Sequence, residues 1–391
     1  MQRRNIGLIL LAIAVGLVGL LTVQAQRKAG RRVILPNDAQ RIAATNYTLS
    51  GPYSYNNLSI FLIHGQDNSK GKPPLTLKEA MAQKKVVVHE TGEVNQLAIE
   101  NVSQEEVFVQ SGDIVKGGQQ DRVLAFDLVV PAKSGKMPIE SFCVEQGRWS
   151  RRGEEVVTAF SSSDKMLNSK DLKIAAKEKA SQGEVWDNVA KSQRKLSAGV
   201  LAASSPAASA PAPHQSPVSG GGGGSGAGAG GSTGRGGSYG FSVASSISSS
   251  SLQLSLENKS LQDTAKGFIK KLSPIIERKS DVIGYAFAIN GEINSADVYS
   301  SHALFKKFWP KLLESSAIEA IGEFEKDRTY KSPTTDAIKT FLNEAEDGKA
   351  DAKKVTSRVT VIKRETGKNL FFETRDRKND GEWIHRNYIT K

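Results

Sequence analysis

The chain has a single cysteine, Cys143, among 391 residues. An internal disulfide is therefore excluded, and the fold must rest on its core rather than on a covalent framework. About 320 residues lie outside an N-terminal apolar run and a low-complexity stretch, enough for a sizeable core. Several catalytic signatures are missing as well. There is no His-Glu-x-x-His and no cysteine pair at ligand spacing, so no metal site and no cofactor are expected. His89, Glu90 and Glu93 stand close together, but on a strand followed by a turn, which is a poor ligand scaffold. Gly-x-Ser-x-Gly is absent from the folded parts, which leaves ordinary acyl hydrolysis without support. No basic run is interleaved with aromatics, so nucleic acid is not an expected partner. The formal net charge is nonetheless +12. That excess favours anionic partners, a small anionic molecule or an envelope component, although the basic residues are spread out as a solvated surface would have them.

Long hydrophobic runs are confined to one place. Residues 1–25 read as a basic start, an apolar run from Ile6 to Leu21 and a small-residue site at Val23-Gln24-Ala25. This is the pattern of a secretory signal peptide cut after Ala25. The run is short for a bilayer span, which needs about 20 residues. The alternative is an uncleaved N-terminal anchor, the one route by which this chain would hold a membrane. Either reading puts the rest of the chain in the periplasm or outside the cell.

What the sequence has in abundance is glycine, serine, alanine and proline between Ser204 and Ser251. Such a stretch buries almost nothing and cannot offset its ordering entropy, so it is expected to be disordered. It separates residues 40–203 from 252–391. Before it, short alternating or apolar runs such as "LSIFLIHG", "NQLAIENVS" and "RVLAFDLVVPA" predict strands joined by tight turns. Leu75–Lys85 and Glu184–Leu196 have helical character. After it, helices alternate with hairpins. Asn290-Gly291 between two alternating runs predicts a type I′ turn. A second hairpin is predicted at Thr366-Gly367, and "EWIHRNYI" as a last strand. Helices are predicted from the start signal at Ser300-Ser301, with Pro310 as a possible kink, and after Thr334 or Thr335. The fold class is α+β. It has an antiparallel, β-rich N-terminal half, with helices and β-hairpins after the insertion.

Four blocks carry a family resemblance. They are "LTLKEAMAQKKVVVHETGEVNQLAIENVS", "SGDIVKGGQQDRVLAFDLVVPA", "FCVEQGRW" and "AFAINGEINSADVYSSHALFKKFWPKLL". Together they resemble the ARG and rhodanese-phosphatase-superfamily-associated protein domain, a bacterial family. It is named for its association with ADP-ribosylglycohydrolase and rhodanese-like phosphatase domains. The resemblance implies one composite domain over residues 40 to 390, with Ser204–Ser251 inserted into it. It also implies chemistry around nucleotides, ADP-ribose or related anions.

The candidate site is built from two of these blocks. "GDIVKGGQQDR" places Gly112 and Gly117 at phosphate-loop spacing, but Gly118 and Gln119 follow where that motif needs lysine and a hydroxyl. The glycines serve a tight strand connection with positive φ. Alternatively, the N–H groups of Gly117 and Gly118 form an anion cradle with Arg122 as its bidentate partner. In "SFCVEQGRW", Cys143 reads as a small buried strand residue. The alternative is a nucleophile with His64 or His89 as its base. Glu145 could form a structural ion pair with Arg122 or Arg148, or the arginines could hold a ligand beside Trp149. Two functions follow. One is a non-catalytic binding protein using Gly117, Gly118, Arg122, Glu145, Arg148 and Trp149. The other is an enzyme acting on a nucleotide-like or other anionic substrate through Cys143.

Overall fold

The computed structural model describes residues 46–68, 71–148, 152, 155, 160–204 and 241–391. The N-terminal apolar run with its cleavage site, Trp149, and residues 205–240 of the insertion lie outside the described residues.

Along the chain, β1 (Thr48–Tyr55) and β2 (Leu58–His64) form a hairpin. The short β3 (Leu75–Thr76) leads into helix α1 (Leu77–Ala82), where Thr76 and Glu79 form a capping box. Eight strands follow: β4 (Val86–Glu90), β5 (Gln96–Asn101), β6 (Val107–Val109), β7 (Asp113–Gly117), β8 (Arg122–Leu124), β9 (Leu128–Val130), β10 (Gly135–Cys143) and β11 (Phe160–Met166). Helix α2 (Lys170–Ile174) runs into a π-helical turn, Ala175–Lys179, ahead of the long α3 (Gln182–Ser204). Beyond residue 240 come α4 (Leu252–Leu256), α5 (Lys259–Leu272), β12 (Val282–Ile289), β13 (Glu292–Tyr299), α6 (His302–Gly322) and α7 (Thr335–Glu346). The last strands are β14 (Lys349–Lys354), β15 (Val359–Glu365), β16 (Asn369–Asp376) and β17 (Glu382–Thr390).

The fold is α+β. An antiparallel eight-stranded sheet runs β1-β2-β12-β13-β17-β16-β15-β14. A second, six-stranded antiparallel sheet runs β11-β7-β8-β10-β5-β4, and β3, β6 and β9 form a small third sheet. The large sheet draws on both sides of residues 205–240, since β2 pairs with β12 from Leu58↔Ile289 to His64↔Val282. Asn290 and Gly291 both have positive φ and turn β12 into β13, as the type I′ signal requires.

The run "LSIFLIH" is apolar at all but Ser59 and His64 because both of its faces are buried. Leu58, Ile60 and Leu62 pack with α3, α5 and α6, whereas Phe61 and Ile63 pack with α7. Helix α6 begins at an N-cap on Ser301 and stays helical through the exposed Pro310. It is buried over most of its circumference, as a helix enclosed by the core must be. Gly199 of α3 lies against it so closely that a Cβ there would sit 1.8 Å from the Ile321 carbonyl oxygen. Composition assigns residues 241–251 to the insertion, but they are packed: Val243 is fully buried and its N–H donates to Ser197 Oγ at 3.0 Å. Ser251 caps α4 from a buried position. A few apolar contacts and side-chain caps suffice to dock serine-rich chain.

Candidate functional site

The predicted loop is the β7–β8 hairpin, and its glycines have the conformation a turn needs, with φ of +111° at Gly117 and +55° at Gly118. A Cβ on Gly118 would lie 2.4 Å from the Phe160 ring and 2.6 Å from Glu90 Oε1. The Gly117 N–H donates to Asp121 Oδ1 at 3.0 Å and the Gln119 N–H to Glu90 Oε1 at 2.9 Å. These loop amides thus face the protein's own carboxylates.

Arg148 closes the same loop. Its Nε donates to Glu145 Oε2 at 2.6 Å, and its other N–H groups donate to the carbonyls of Gly118 (3.1 Å) and Gly117 (3.2 Å). Arg152 bridges Asp121 at 2.8 Å and Glu145 at 3.2 Å, and the Ser251 hydroxyl donates to Asp121 at 3.1 Å. Burial pushes both carboxyl groups up. At Asp121 it prevails over Arg152, and the carboxyl stays above its ordinary range. At Glu145, hydrogen bonds from Ser248 and Arg148 and the charges of Arg148 and Arg152 prevail, and the carboxyl lies below its ordinary range. Glu145 pairs with Arg148, one of the two partners the sequence offered.

The other partner, Arg122, turns to Cys143. It is fully buried, and Nη1 donates to Gln120 Oε1 at 2.9 Å and to Cys143 Sγ. Its nearest carboxylate oxygen, on Glu90, is 3.9 Å away, and burial holds the guanidinium below its ordinary pKa. Cys143 itself is fully buried, and the Gln182 side chain clamps its backbone N–H and C=O at 2.8 Å each. Neither predicted histidine is among the contacts of the thiol. His64 ends β2 in the other large sheet, its ring between Ser50 (2.7 Å) and Asp281 (3.0 Å). His89 lies on β4 and meets Glu100 at 3.0 Å.

A second buried charge network was not anticipated from the sequence. His385 on β17 sits between Asp127 (2.8 Å) and Asp297 (3.1 Å). Thr374 donates to Asp127 at 2.6 Å, Asn387 donates to Asp297 at 2.9 Å, and Tyr299 stacks on the imidazole. Lys177 from the π-helical turn donates to Asn387 at 3.3 Å and lies 4.4 Å from the Phe372 ring centroid. Burial disfavours the imidazolium, but the two carboxylates overcome it and His385 is held above its ordinary pKa. Asp127 is correspondingly held well below the carboxylate range, chiefly by His385 against the effect of burial. This network ties the β8–β9 loop to the large sheet.

A polar cleft of 530 Å³ opens between α2, α3, the β12–β13 turn and the C-terminal half of α6. Three of its lining side chains are buried and keep an oxygen with no partner among the described residues: Asn168 Oδ1, Asn294 Oδ1 and Glu319 Oε2. Leaving such an acceptor unmet costs about 1–3 kcal/mol. Burial also raises the Glu319 carboxyl above its ordinary range, against Lys173, the Lys170 N–H and Asn294. These residues come from segments 25 to 151 positions apart, so no local motif could have joined them. A smaller cavity of 280 Å³ is lined by Arg358, already saturated by Glu106 and Asp376. Among the described residues no group of three or more His, Cys, Asp or Glu side chains is arranged to hold a metal ion, and no helix is long and apolar enough to cross a membrane.

No curated protein and no solved structure matches the chain. The family resemblance is upheld: the pattern of the ARG and Rhodanese-Phosphatase-superfamily-associated Protein domain matches residues 46–389, and the chain belongs to that family.

Proposed function

We propose that this protein is a non-catalytic binding domain that takes a small polar ligand in the cleft between α2, α3, the β12–β13 turn and α6. The observation that carries this reading is the set of unmet buried oxygens of Asn168, Asn294 and Glu319 around one cavity. Ligand pockets pair a concave wall with a few convergent polar groups, and buried acceptors without partners call for an external donor. Cys143 supports it from the other side, since a fully buried thiol with no histidine among its contacts lacks the base and the access that a nucleophile needs. The loop amides of Gly117 and Gln119 are engaged by Asp121 and Glu90, which favours the cleft over the β7–β8 hairpin as the place of binding.

The test is a thermal-shift screen of small polar molecules against the full chain, with Asn188→Trp as a cleft-filling variant. A ligand at a hundred times its Kd adds about 2.7 kcal/mol of stability. The expected hit loses its effect in Asn188→Trp; a hit equally effective in that variant would place binding elsewhere. The apolar run Ile6–Leu21 supports a further reading, in which the domain is exported and the chain is cut after Ala25. N-terminal sequencing of the mature protein checks that, and an intact Met1 on a cytoplasmic product rejects it.

A further inference from the structure

We infer that the cleft recognises a primary ammonium group rather than an anion. This rests on the cleft reading above and names the ligand class. The hydrogen-bonding polarity of the floor is one-sided. Asn168 Nδ2 donates to Ser192 Oγ at 3.1 Å, and Asn294 Nδ2 donates to Glu319 Oε1 at 3.0 Å. Glu319 Oε1 also accepts the Lys170 N–H at 2.9 Å. Each amide nitrogen has thus used one N–H inward, and the floor atoms with no partner at all among the described residues are acceptors: two amide oxygens and Glu319 Oε2. Asn168 stands two residues before Lys170, whose N–H binds Glu319, and all three side chains line the one cleft. An ammonium has three donors and no acceptor, and it matches three unmet oxygens in number and in polarity. A phosphate or carboxylate has the opposite polarity.

The charges of the wall point the same way. Lys191 is paired with Asp171 at 2.7 Å, Lys195 with Glu323 and Arg328 with Glu325. Lys170 donates its ammonium to Thr390 Oγ1 at 3.1 Å. The carboxylates of Glu292 and Glu319 are in no ion pair among the described residues. Three of the four lining cations are thus already held in ion pairs, whereas an entering cation meets two carboxylates that are in none. The three oxygens are shielded from solvent, so a head group must displace side chains at the floor to reach them. Burial holds the Glu319 carboxyl above its ordinary range, against the charges of Lys173 and Lys170 nearby.

The experiment is ligand-observed NMR titration of the full chain at constant ionic strength. The probes are n-butylammonium and putrescine, with 1-butanol and inorganic phosphate as the neutral and anionic comparisons. The amines should bind, and Asn188→Trp should abolish their binding. Glu319→Gln should weaken it at least tenfold, with circular dichroism confirming the fold. Glu292→Lys, at the exposed rim, tests the same charge preference without touching the floor and should weaken the amines several-fold. Butanol or phosphate binding in an Asn188→Trp-sensitive way while the amines do not would overturn the ammonium assignment and leave the cleft standing. Amine binding indifferent to Glu319→Gln, Glu292→Lys and Asn188→Trp would overturn the assignment, and so would no amine binding at all; the compound screen then decides the cleft separately.

Discussion

Arg148 Nε and Glu145 Oε2 meet at 2.6 Å, three residues apart in sequence and both almost fully buried, under the β7–β8 hairpin. The contact lets the glycine carbonyls of that hairpin, a carboxylate and a second arginine share one closed network. Removing one partner of a buried pair leaves an uncompensated charge, at a cost of about 3–5 kcal/mol. Glu145→Ala should therefore lose that much in urea unfolding, because Arg148 and Arg152 both lose an acceptor. The Glu145 carboxyl lies below its ordinary value of 4.5, so its contribution is present above that value and is lost as pH falls through the lower folded one. A loss under 1 kcal/mol would show that the network is not held by this contact.

Cys143 should alkylate only after unfolding. Its thiol is fully buried between Arg122 and the Val94 carbonyl. Labelling in native buffer should run at least about a hundredfold slower than in denaturant, given inert structural cysteines elsewhere. Fast native labelling would reopen the nucleophile reading.

His385 gives a pH signature of known sign. Its folded pKa is raised above 6.5 by Asp127 and Asp297, and Lys177 and Tyr299 also face the site. A raised pKa stabilises the fold fully below the unfolded value, and that contribution is lost as pH rises through the folded one. The stability advantage over His385→Gln should therefore shrink as pH is raised from 6, by at most about 1.4 kcal/mol per pH unit. An advantage that grew with pH would mean that His385 is buried neutral.

Replacing residues 205–240 by six Gly/Ser residues should leave the fold intact. From Ser197, which holds Val243, to Ser204 the helix spans about 10 Å, within reach of a six-residue linker of about 20 Å. A roughly sixfold shorter loop lowers the closure entropy by about 1.6 kcal/mol. Chemical unfolding should show equal or slightly higher stability; a severe loss would argue for two separately folding parts.

Much of the architecture was legible because it is local. The Asn290-Gly291 turn, the Ser301 and Thr334 caps and the alternation of β15 to β17 each lie within a few residues of chain. The β7–β8 glycines and the Glu145–Arg148 pair were legible for the same reason. The cleft was not. Asn168, Asn294 and Glu319 meet only through tertiary packing, and the one local hint is a carboxylate inside the apolar run "SSAIEAI". His385 and Asp297 likewise sit at buried strand positions whose partners lie in other strands and loops. The serine-rich residues 241–251 were misassigned because composition does not register a single buried valine.

The strand order carries a consequence for synthesis. β17 lies between β13 and β16, and β2 finds its second neighbour only in β12. A nascent chain emerging at about 5–20 residues per second holds the β1–β2 hairpin without its partner until residue 289 appears. The middle of the large sheet stays open until residue 390 has left the ribosome. Assembly is thus postponed until β17 has emerged, and the unpartnered edges exposed meanwhile are the ones a chaperone or translocation factor would have to shield.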